Sequence, residues 1–206
     1  MKEKRINYLQ ILYYTVAGVV VGILVGAIDA VFGRVLLAIT DFRGQHVMVL
    51  VPFLGAAGVL ILFLYQKFSP KAQKGMGLIF DTGFEENEKI PPALVPLIMV
   101  STWLTHLFGG SAGREGVAVQ IGATLGVVLA TAFGLPVMLV AALGYAAVFG
   151  SATNTLLAPI LIGIEVFGAE QAIPFAIVCM IAFVCNGNRT IYGKQRISQM
   201  LDFEKK

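Results

Sequence analysis

The chain has 206 residues, of which 57% are hydrophobic and 13% are charged, and its formal net charge is +3. A soluble domain carries about 25% charged residues, so this composition excludes an ordinary soluble protein. The basic residues are spread over the termini and short loops without interleaved aromatic residues, which argues against a nucleic-acid partner. The composition therefore predicts a polytopic membrane protein in contact with the lipid bilayer.

Seven apolar segments follow one another along the chain. The hydrocarbon core of a bilayer is about 30 Å thick and takes roughly 20 helical residues to cross. Several segments are shorter than this, so we expect an all-α bundle that mixes full crossings with tilted, broken and re-entrant helices. The first segment is too long for the core of a signal peptide and is predicted to remain as a permanent helix. The apolar segments cover residues 8–40, 47–65, 93–108, 117–133, 137–149, 156–167 and 173–185.

Glycines recur at four-residue spacing in two of these segments, at Gly18, Gly22 and Gly26 and again at Gly122 and Gly126. Small residues on one face let membrane helices approach closely. Two interpretations remain open, namely packing of helices within one chain and contact between subunits.

Four other residues in apolar segments are interpreted without a chemical role. Asp29 and Arg34 are five residues apart, on different faces of a regular helix, and are expected at or near the membrane interface. Cys179 and Cys185 have no neighbours at metal-ligand spacing, so we expect them to be packing residues. No metal or other cofactor is predicted.

Two glycine-containing breaks interrupt the apolar pattern. The polar interval 66–92 contains a short apolar run, residues 75–80, which is predicted to enter the bilayer as a half-helix with its N-terminus pointing inward. The second break is Gly-Ser-Ala-Thr-Asn-Thr at 150–155. Because Ser, Thr and Asn favour helix caps, another helix is expected to start there with free backbone N–H groups.

The segment 105–120 places a guanidinium and a carboxylate, Arg114 and Glu115, in an apolar part of the chain. An ionisable residue at membrane depth indicates a functional site. The four glycines of the segment predict a loop that leads into the N-terminus of a helix. If Glu115 lies in the first turn, the helix dipole stabilises its carboxylate. An entering anion would compete with this carboxylate for the same N–H donors. Protonation of Glu115 would let its side chain leave the helix N-terminus.

Three helix N-termini directed at one point would suit a small anion, because each presents unsatisfied N–H groups and a partial positive charge. Broken helices of this kind mark the substrate site of many transporters. A simpler alternative is that Arg114 and Glu115 cap a helix near the membrane interface.

Residues 109–113 also match the G-x-S-x-G pattern of serine hydrolases, which gives an intramembrane serine protease as a remote alternative. Ser111 would then need a base near it. The two histidines, His46 and His106, both precede Ser111. His106 is interpreted as a hydrogen-bonded packing residue.

The segment 105–120 resembles the CLC family of chloride channels and anion/proton exchangers, in which the sequence Gly-Arg-Glu-Gly-Pro begins a helix over the anion site. This chain has the same pattern from Gly113, with Val117 in place of Pro. The longer string 105–120 is most similar to the fluoride/proton antiporter branch. The resemblance implies a CLC-type repeat of broken helices and makes Glu115 the gating, proton-linked residue.

Further matches to this branch concern the anion site. Met76, between two glycines, is similar to a Met of the early half-helix, and 148–155 and 163–168 resemble the closing repeat. Residues 191–196 resemble the segment with an anion-coordinating Tyr, which would be Tyr192; an interfacial belt tyrosine is the alternative. The predicted anion-binding residues are Met76, Gly113, Arg114, Gly116, Val117, Ser151, Thr153, Asn154 and Tyr192.

The chain departs from the family pattern in length. The usual member has two inverted repeats and about twice as many residues, and its second acidic residue lies in the repeat that this chain lacks. Leu78 and Ile79 stand where polar and aromatic residues are expected after Met76. Residues 1–206 are therefore interpreted as a single transmembrane domain that is equivalent to one inverted repeat.

Basic residues occur at both ends of the chain. If the helices make an odd number of net crossings, the two ends lie on opposite sides of the membrane, and the charge bias that usually fixes orientation is weak. We therefore expect an antiparallel, dual-topology homodimer in a bacterial or archaeal plasma membrane. It would transport fluoride as the first choice of ion and chloride as the second, and this transport would be proton-coupled or proton-gated. It would not be an enzyme. A non-transporting scaffold or the isolated half of a longer antiporter is the alternative. The basic residues at the two ends are Lys2, Lys4, Arg5, Lys194, Arg196, Lys205 and Lys206.

Overall fold

The computed structural model describes residues 8–70, 90–187 and 190–192. All regular elements in this part of the chain are helical, which confirms the predicted all-α class. Short 3-10 turns at Val51–Phe53 and Ala169–Gln171 join consecutive helices. The α-helices are α1 (Tyr8–Leu50), α2 (Leu54–Phe68), α3 (Leu94–Leu107), α4 (Arg114–Phe133), α5 (Val137–Thr153), α6 (Leu157–Phe167) and α7 (Ala172–Asn186).

The helices differ widely in length. Helix α1 has 43 residues with a kink at His46, so it is about 65 Å long and exceeds the hydrocarbon thickness. Within the described residues, three helical stretches are long and apolar enough to cross a membrane, namely Leu12–Phe68, Arg114–Phe133 and Ala169–Asn186. Helices α3, α5 and α6 are apolar but shorter. The predicted mixture of long and short apolar helices is confirmed.

The glycine-rich faces pack helices against each other within the chain. A Cβ atom built on Gly144 of α5 would lie 2.1 Å from the carbonyl oxygen of Gly122 in α4, and one on Gly126 would lie 2.3 Å from that of Val140. On α1, a Cβ on Gly26 would lie 2.8 Å from the Ala182 carbonyl oxygen of α7. Both glycine series therefore serve packing within one chain, as the first of the two interpretations held.

The break predicted at residues 150–155 is present, and the helix expected to follow it begins two residues later. Helix α5 ends there, with Asn154 in the left-handed conformation at φ 56°, and α6 begins only at Leu157. Asn tolerates this conformation at helix C-termini, and a Thr side chain can bond back to a preceding carbonyl. Thr153 Oγ1 does so, donating to the Phe149 carbonyl oxygen at 2.6 Å. Cap-forming residues mark either end of a helix, and here they mark the C-terminus.

Asp29, which the sequence predicts at or near the membrane interface, is enclosed by other helices. Its side chain is 2% exposed and lies in the bundle interior, where the Ser151 hydroxyl donates to its Oδ2 atom at 2.5 Å. Arg34, about one turn later, is exposed. The sequence around Asp29 does not contain its partner, which lies 122 residues further along the chain.

Candidate functional site

The site is built around the N-terminus of α4. Gly113 is extended, at φ −65° and ψ 109°, and provides no side-chain cap. The first helical bond runs from the Val117 N–H to the Gly113 carbonyl oxygen at 3.1 Å. The earlier N–H groups of a helix have no acceptor within it and add to the positive end of the dipole. The predicted loop and helix start are confirmed at this position.

The entrance to this helix is open on the side of its glycines. Gly113, Glu115 and Gly116 are exposed. A Cβ built on Gly113 or Gly116 would meet no atom of the described residues within 4 Å. The described residues therefore leave free space beside the first turn of α4 on the side of Gly113 and Gly116.

Glu115 and Tyr192 are brought together although 77 residues separate them. The Tyr192 hydroxyl donates a hydrogen bond to Glu115 Oε1. Burial, together with this hydrogen bond and the carboxylate charge, raises the pKa of Tyr192 to about 12. Because a raised pKa favours the neutral phenol, Tyr192 remains a hydrogen-bond donor at neutral pH.

Arg114 connects the helix start to two other parts of the chain. Its Nη1 donates to the Ile191 carbonyl oxygen at 3.1 Å, and its Nη2 donates to Thr40 Oγ1 of α1 at 3.4 Å. The planar guanidinium is suited to bridging two acceptors in this way. These contacts assign Arg114 a positioning role, since they hold α1, α4 and the segment 190–192 in one arrangement.

The segment 190–192 is in turn attached to the C-terminus of α5. The Ile191 N–H and the Thr190 hydroxyl both donate to the Ala152 carbonyl oxygen at 3.0 Å. Asn186 Nδ2 donates to the Ser151 carbonyl oxygen at 2.8 Å. The last carbonyl groups of a helix need such partners because they have none within the helix. The end of α5 thus fixes the backbone that presents Tyr192.

Three predicted anion-binding residues lie at this helix end and not at a helix start. The Ser151 side chain is fully buried, and Thr153 Oγ1 lies 2.6 Å from Thr155 Oγ1. The buried Asn154 Oδ1 atom makes no hydrogen bond within the described residues. Since α5 ends here, this segment offers carbonyl oxygens in place of the expected free N–H groups. The Asn154 and Thr155 N–H groups donate to the carbonyl oxygens of Ser151 and Gly150, and anion binding at Ser151, Thr153 and Asn154 stays a prediction.

Met76 and the predicted half-helix 75–80 lie outside the described residues. Of the three helix starts expected at one point, the structure supplies that of α4. His106 is buried, with Nδ1 at 2.9 Å from the Thr102 carbonyl oxygen, which confirms the packing interpretation. Its own carbonyl oxygen accepts from Arg43 Nη1 at 3.2 Å.

Several residues that support the site were missed by sequence reasoning, namely Asp29, Thr40, Asn186 and Thr190. For Asp29 the burial cost of a carboxylate in an apolar segment was a usable signal. Thr40, Asn186 and Thr190 act through long-range contacts that no local pattern reveals.

Comparison with known proteins identifies the family. A family model described as voltage gated chloride channel matches residues 57–135 and 121–187, which together cover more than half of the chain. The chain belongs to this CLC family. The resemblance found in the sequence is thereby confirmed, as is the polytopic membrane architecture.

Two relatives show how the CLC chain aligns with longer proteins. It is 34% identical over 177 residues to a chloride/fluoride channel protein of Pseudomonas syringae pv. tomato, an alignment of 80% of this chain and 38% of that protein. A crystal structure of a CLC-type fluoride/proton antiporter superposes with a TM-score of 0.78 at 33% identity, over 98% of this chain and 54% of that chain. The chain thus spans about half the length of these relatives or less.

Proposed function

We propose that the chain transports a small halide anion, fluoride first and chloride next, with proton coupling through Glu115. The hydrogen bond from Tyr192 to Glu115 at the open N-terminus of α4 carries this proposal. The names of the two relatives, a chloride/fluoride channel protein and a fluoride/proton antiporter, support the choice of ion.

The proposed mechanism is competition for donors. The ionised Glu115 carboxylate lies at the positive end of α4 and accepts from the Tyr192 hydroxyl. An anion that takes the same donors has to displace that carboxylate, and protonation of Glu115 removes the charge that the helix dipole stabilises. Each anion that passes is therefore linked to a proton on Glu115. In this mechanism Gly113, Gly116 and Val117 border the anion, and the family resemblance adds Met76 as a further anion-binding residue.

We further propose that two copies associate in opposite orientations, with residues 1–206 acting as one repeat. The antiporter aligns with nearly all of this chain but with only 54% of its own, which leaves room for a second repeat. The two family matches overlap at residues 121–135, so they do not form one continuous alignment. The open surface at Gly113 and Gly116 would face the second copy or the shared pathway.

Fluoride and chloride efflux from liposomes, measured with ion-selective electrodes, tests transport. We expect the wild type to release fluoride in exchange for protons and Glu115→Gln to release it without net proton movement. Glu170→Gln, which changes an exposed carboxylate outside the site, is the matched control and should behave as the wild type. Absence of flux, or coupling that survives Glu115→Gln, contradicts the role of Glu115.

Orientation is tested separately. A single cysteine is placed at one terminus of a variant in which Cys179 and Cys185 are serine, and sealed vesicles are treated with an impermeant maleimide. Dual topology predicts that about half of the chains are labelled from each side. Labelling from one side alone would overturn the antiparallel dimer.

The second candidate is a non-transporting scaffold or the isolated half of a longer antiporter. The observation that favours it is the partial coverage of both relatives, 38% and 54% of their lengths. It predicts a folded chain that conducts nothing by itself. In the protease alternative, Ser111→Ala would abolish cleavage of a substrate.

A further inference from the structure

A second ionisable site lies inside the bundle, apart from Glu115. Asp29 of α1 is 98% buried, and its Oδ2 atom is 2.5 Å from the Ser151 hydroxyl of α5. Its Oδ1 atom is buried and accepts no hydrogen bond from the described residues. A buried carboxylate is costly unless it is paired and fully hydrogen-bonded. Asp29 meets neither condition as an anion.

The charged and titratable groups around Asp29 do not neutralise it. The small cavity beside it is lined from α1 by Arg34, which is exposed and forms no ion pair with Asp29 in the described structure. Its lining from beyond α1 includes the uncharged Asn186 and Thr190. On the faces packed against α1, α7 places Cys185 one turn earlier, with its Cβ atom beside Gly26. Helix α3 places Trp103 there, and its Nε1 donates to the Phe32 carbonyl oxygen. Helix α4 contributes Arg114, which bonds to Thr40 about three turns away.

The Ser151 hydroxyl has two acceptors within reach but only one proton to donate. It lies 2.5 Å from Asp29 Oδ2 and 3.3 Å from the Val148 carbonyl oxygen. When Asp29 is ionised, Ser151 donates to the carboxylate. When Oδ2 carries a proton, Asp29 can donate to Ser151 Oγ, and Ser151 can donate to Val148 instead. The pair can therefore hold or release one proton without a change in the backbone.

We propose that Asp29 and Ser151 form a proton-binding site, with Asp29 as the group that carries the proton and Ser151 as the hydroxyl that reverses its donor direction. The neutral acid leaves Oδ1 as an uncharged carbonyl oxygen, which costs less to bury than half of a carboxylate. The site adjoins the helix end that anchors Tyr192, because the carbonyl oxygens of Ser151 and Ala152 bind Asn186 and Ile191. It does not depend on the proposed function, since a chain that transports nothing would hold the same proton.

Infrared difference spectroscopy of the purified protein in lipid, with hydrogen–deuterium exchange, tests the proposal. At neutral pH we expect a carboxylic-acid C=O band that is lost in Asp29→Asn. It should be retained in Asp41→Asn, a matched change at an exposed position of the same helix, and in Glu115→Gln. Ser151→Ala should shift the band, because the acid loses its hydrogen-bond partner.

The outcomes separate clearly. Absence of the band in the wild type, or a band that persists in Asp29→Asn, overturns the proposal. If Asp29→Asn does not fold, the carboxylic-acid C=O band is measured instead in the double variant Ser151→Ala, Glu115→Gln. A shifted band there supports the site, and an unshifted band overturns it. None of these infrared measurements depends on anion flux. Failure of the Asp29 proposal can therefore be distinguished from failure of the transport proposal.

Discussion

The two parts of α4 use glycine for opposite purposes. Along its middle, Gly122 and Gly126 contact α5 so closely that an added Cβ would lie 2.5 Å or less from backbone or side-chain atoms. At its start, Gly113 and Gly116 have no described atom within 4 Å of that position. One helix is therefore sealed against a neighbour over its length and left open at its N-terminus. Absence of a side chain gives close packing in one place and open space in the other.

The sharpest test of this contrast is Gly144→Ala on the α5 side of the sealed contact. Its Cβ would lie 2.1 Å from the Gly122 carbonyl oxygen, so the two helices must separate. We expect a loss of about 3 kcal/mol or more in the free energy of unfolding, at the upper end of the range for overpacked cores. Thermal unfolding in detergent, followed by circular dichroism, measures it.

Gly116→Ala is the matched control at the open end. It removes a helix glycine where space is free, so its stability should stay constant or rise by up to about 1 kcal/mol. If the two alanine variants unfold at the same temperature, the contrast between sealed and open glycines does not hold.

Arg114→Lys is expected to have an intermediate effect. A lysine keeps the charge but cannot bridge the Ile191 carbonyl and the Thr40 hydroxyl as the guanidinium does. We expect a loss of about 1.5 to 3 kcal/mol in the free energy of unfolding, the range for one hydrogen bond from a charged donor. Chemical denaturation measures it, with Arg34→Lys as the control at an exposed position. Equal stability of the two variants would argue against the positioning role.

Tyr192→Phe should have the smallest effect on folding. It removes a single hydroxyl at a partly exposed position, so the free energy of unfolding should change by less than about 1 kcal/mol. If this hydroxyl binds the anion, its removal should weaken the apparent anion affinity by up to roughly tenfold. The concentration dependence of efflux measures this affinity. Tyr13→Phe, at an exposed position of α1, should change neither quantity. Wild-type anion affinity in Tyr192→Phe would contradict anion binding by the Tyr192 hydroxyl.

The part of the site that could be predicted is local in sequence. The glycines before Arg114 and the apolar residues after Glu115 were sufficient to predict a loop followed by a helix, because both signals lie within one short segment. The glycine spacing likewise predicted close helix contacts. Family resemblance assigned Glu115 and Tyr192 to the same anion site, but their hydrogen bond was not predicted, since residues 77 apart share no local pattern.

The structure adds most where one residue type can have two structural roles. Asn154 and its Ser and Thr neighbours cap helices at either end, and only the fold decides that α5 ends there. Asp29 was placed at the interface because its local surroundings show no partner. Its partner Ser151 comes from another helix, and burial depends on that tertiary contact. Sequence patterns describe what a segment can form, whereas these two outcomes depend on what packs beside it.

The anchoring of α5 has a consequence for the order of events during biosynthesis. The carbonyl groups of Ser151 and Ala152 enter the membrane with α5, but Asn186 and Ile191, which bind them, leave the ribosome more than 30 residues later. Tyr192 reaches Glu115 only after that connection forms. The contact between Tyr192 and Glu115 at the proposed anion site therefore forms last, after the glycine contacts between α4 and α5 can already have formed. In the proposed mechanism, a newly inserted chain would pass through a stage without this contact.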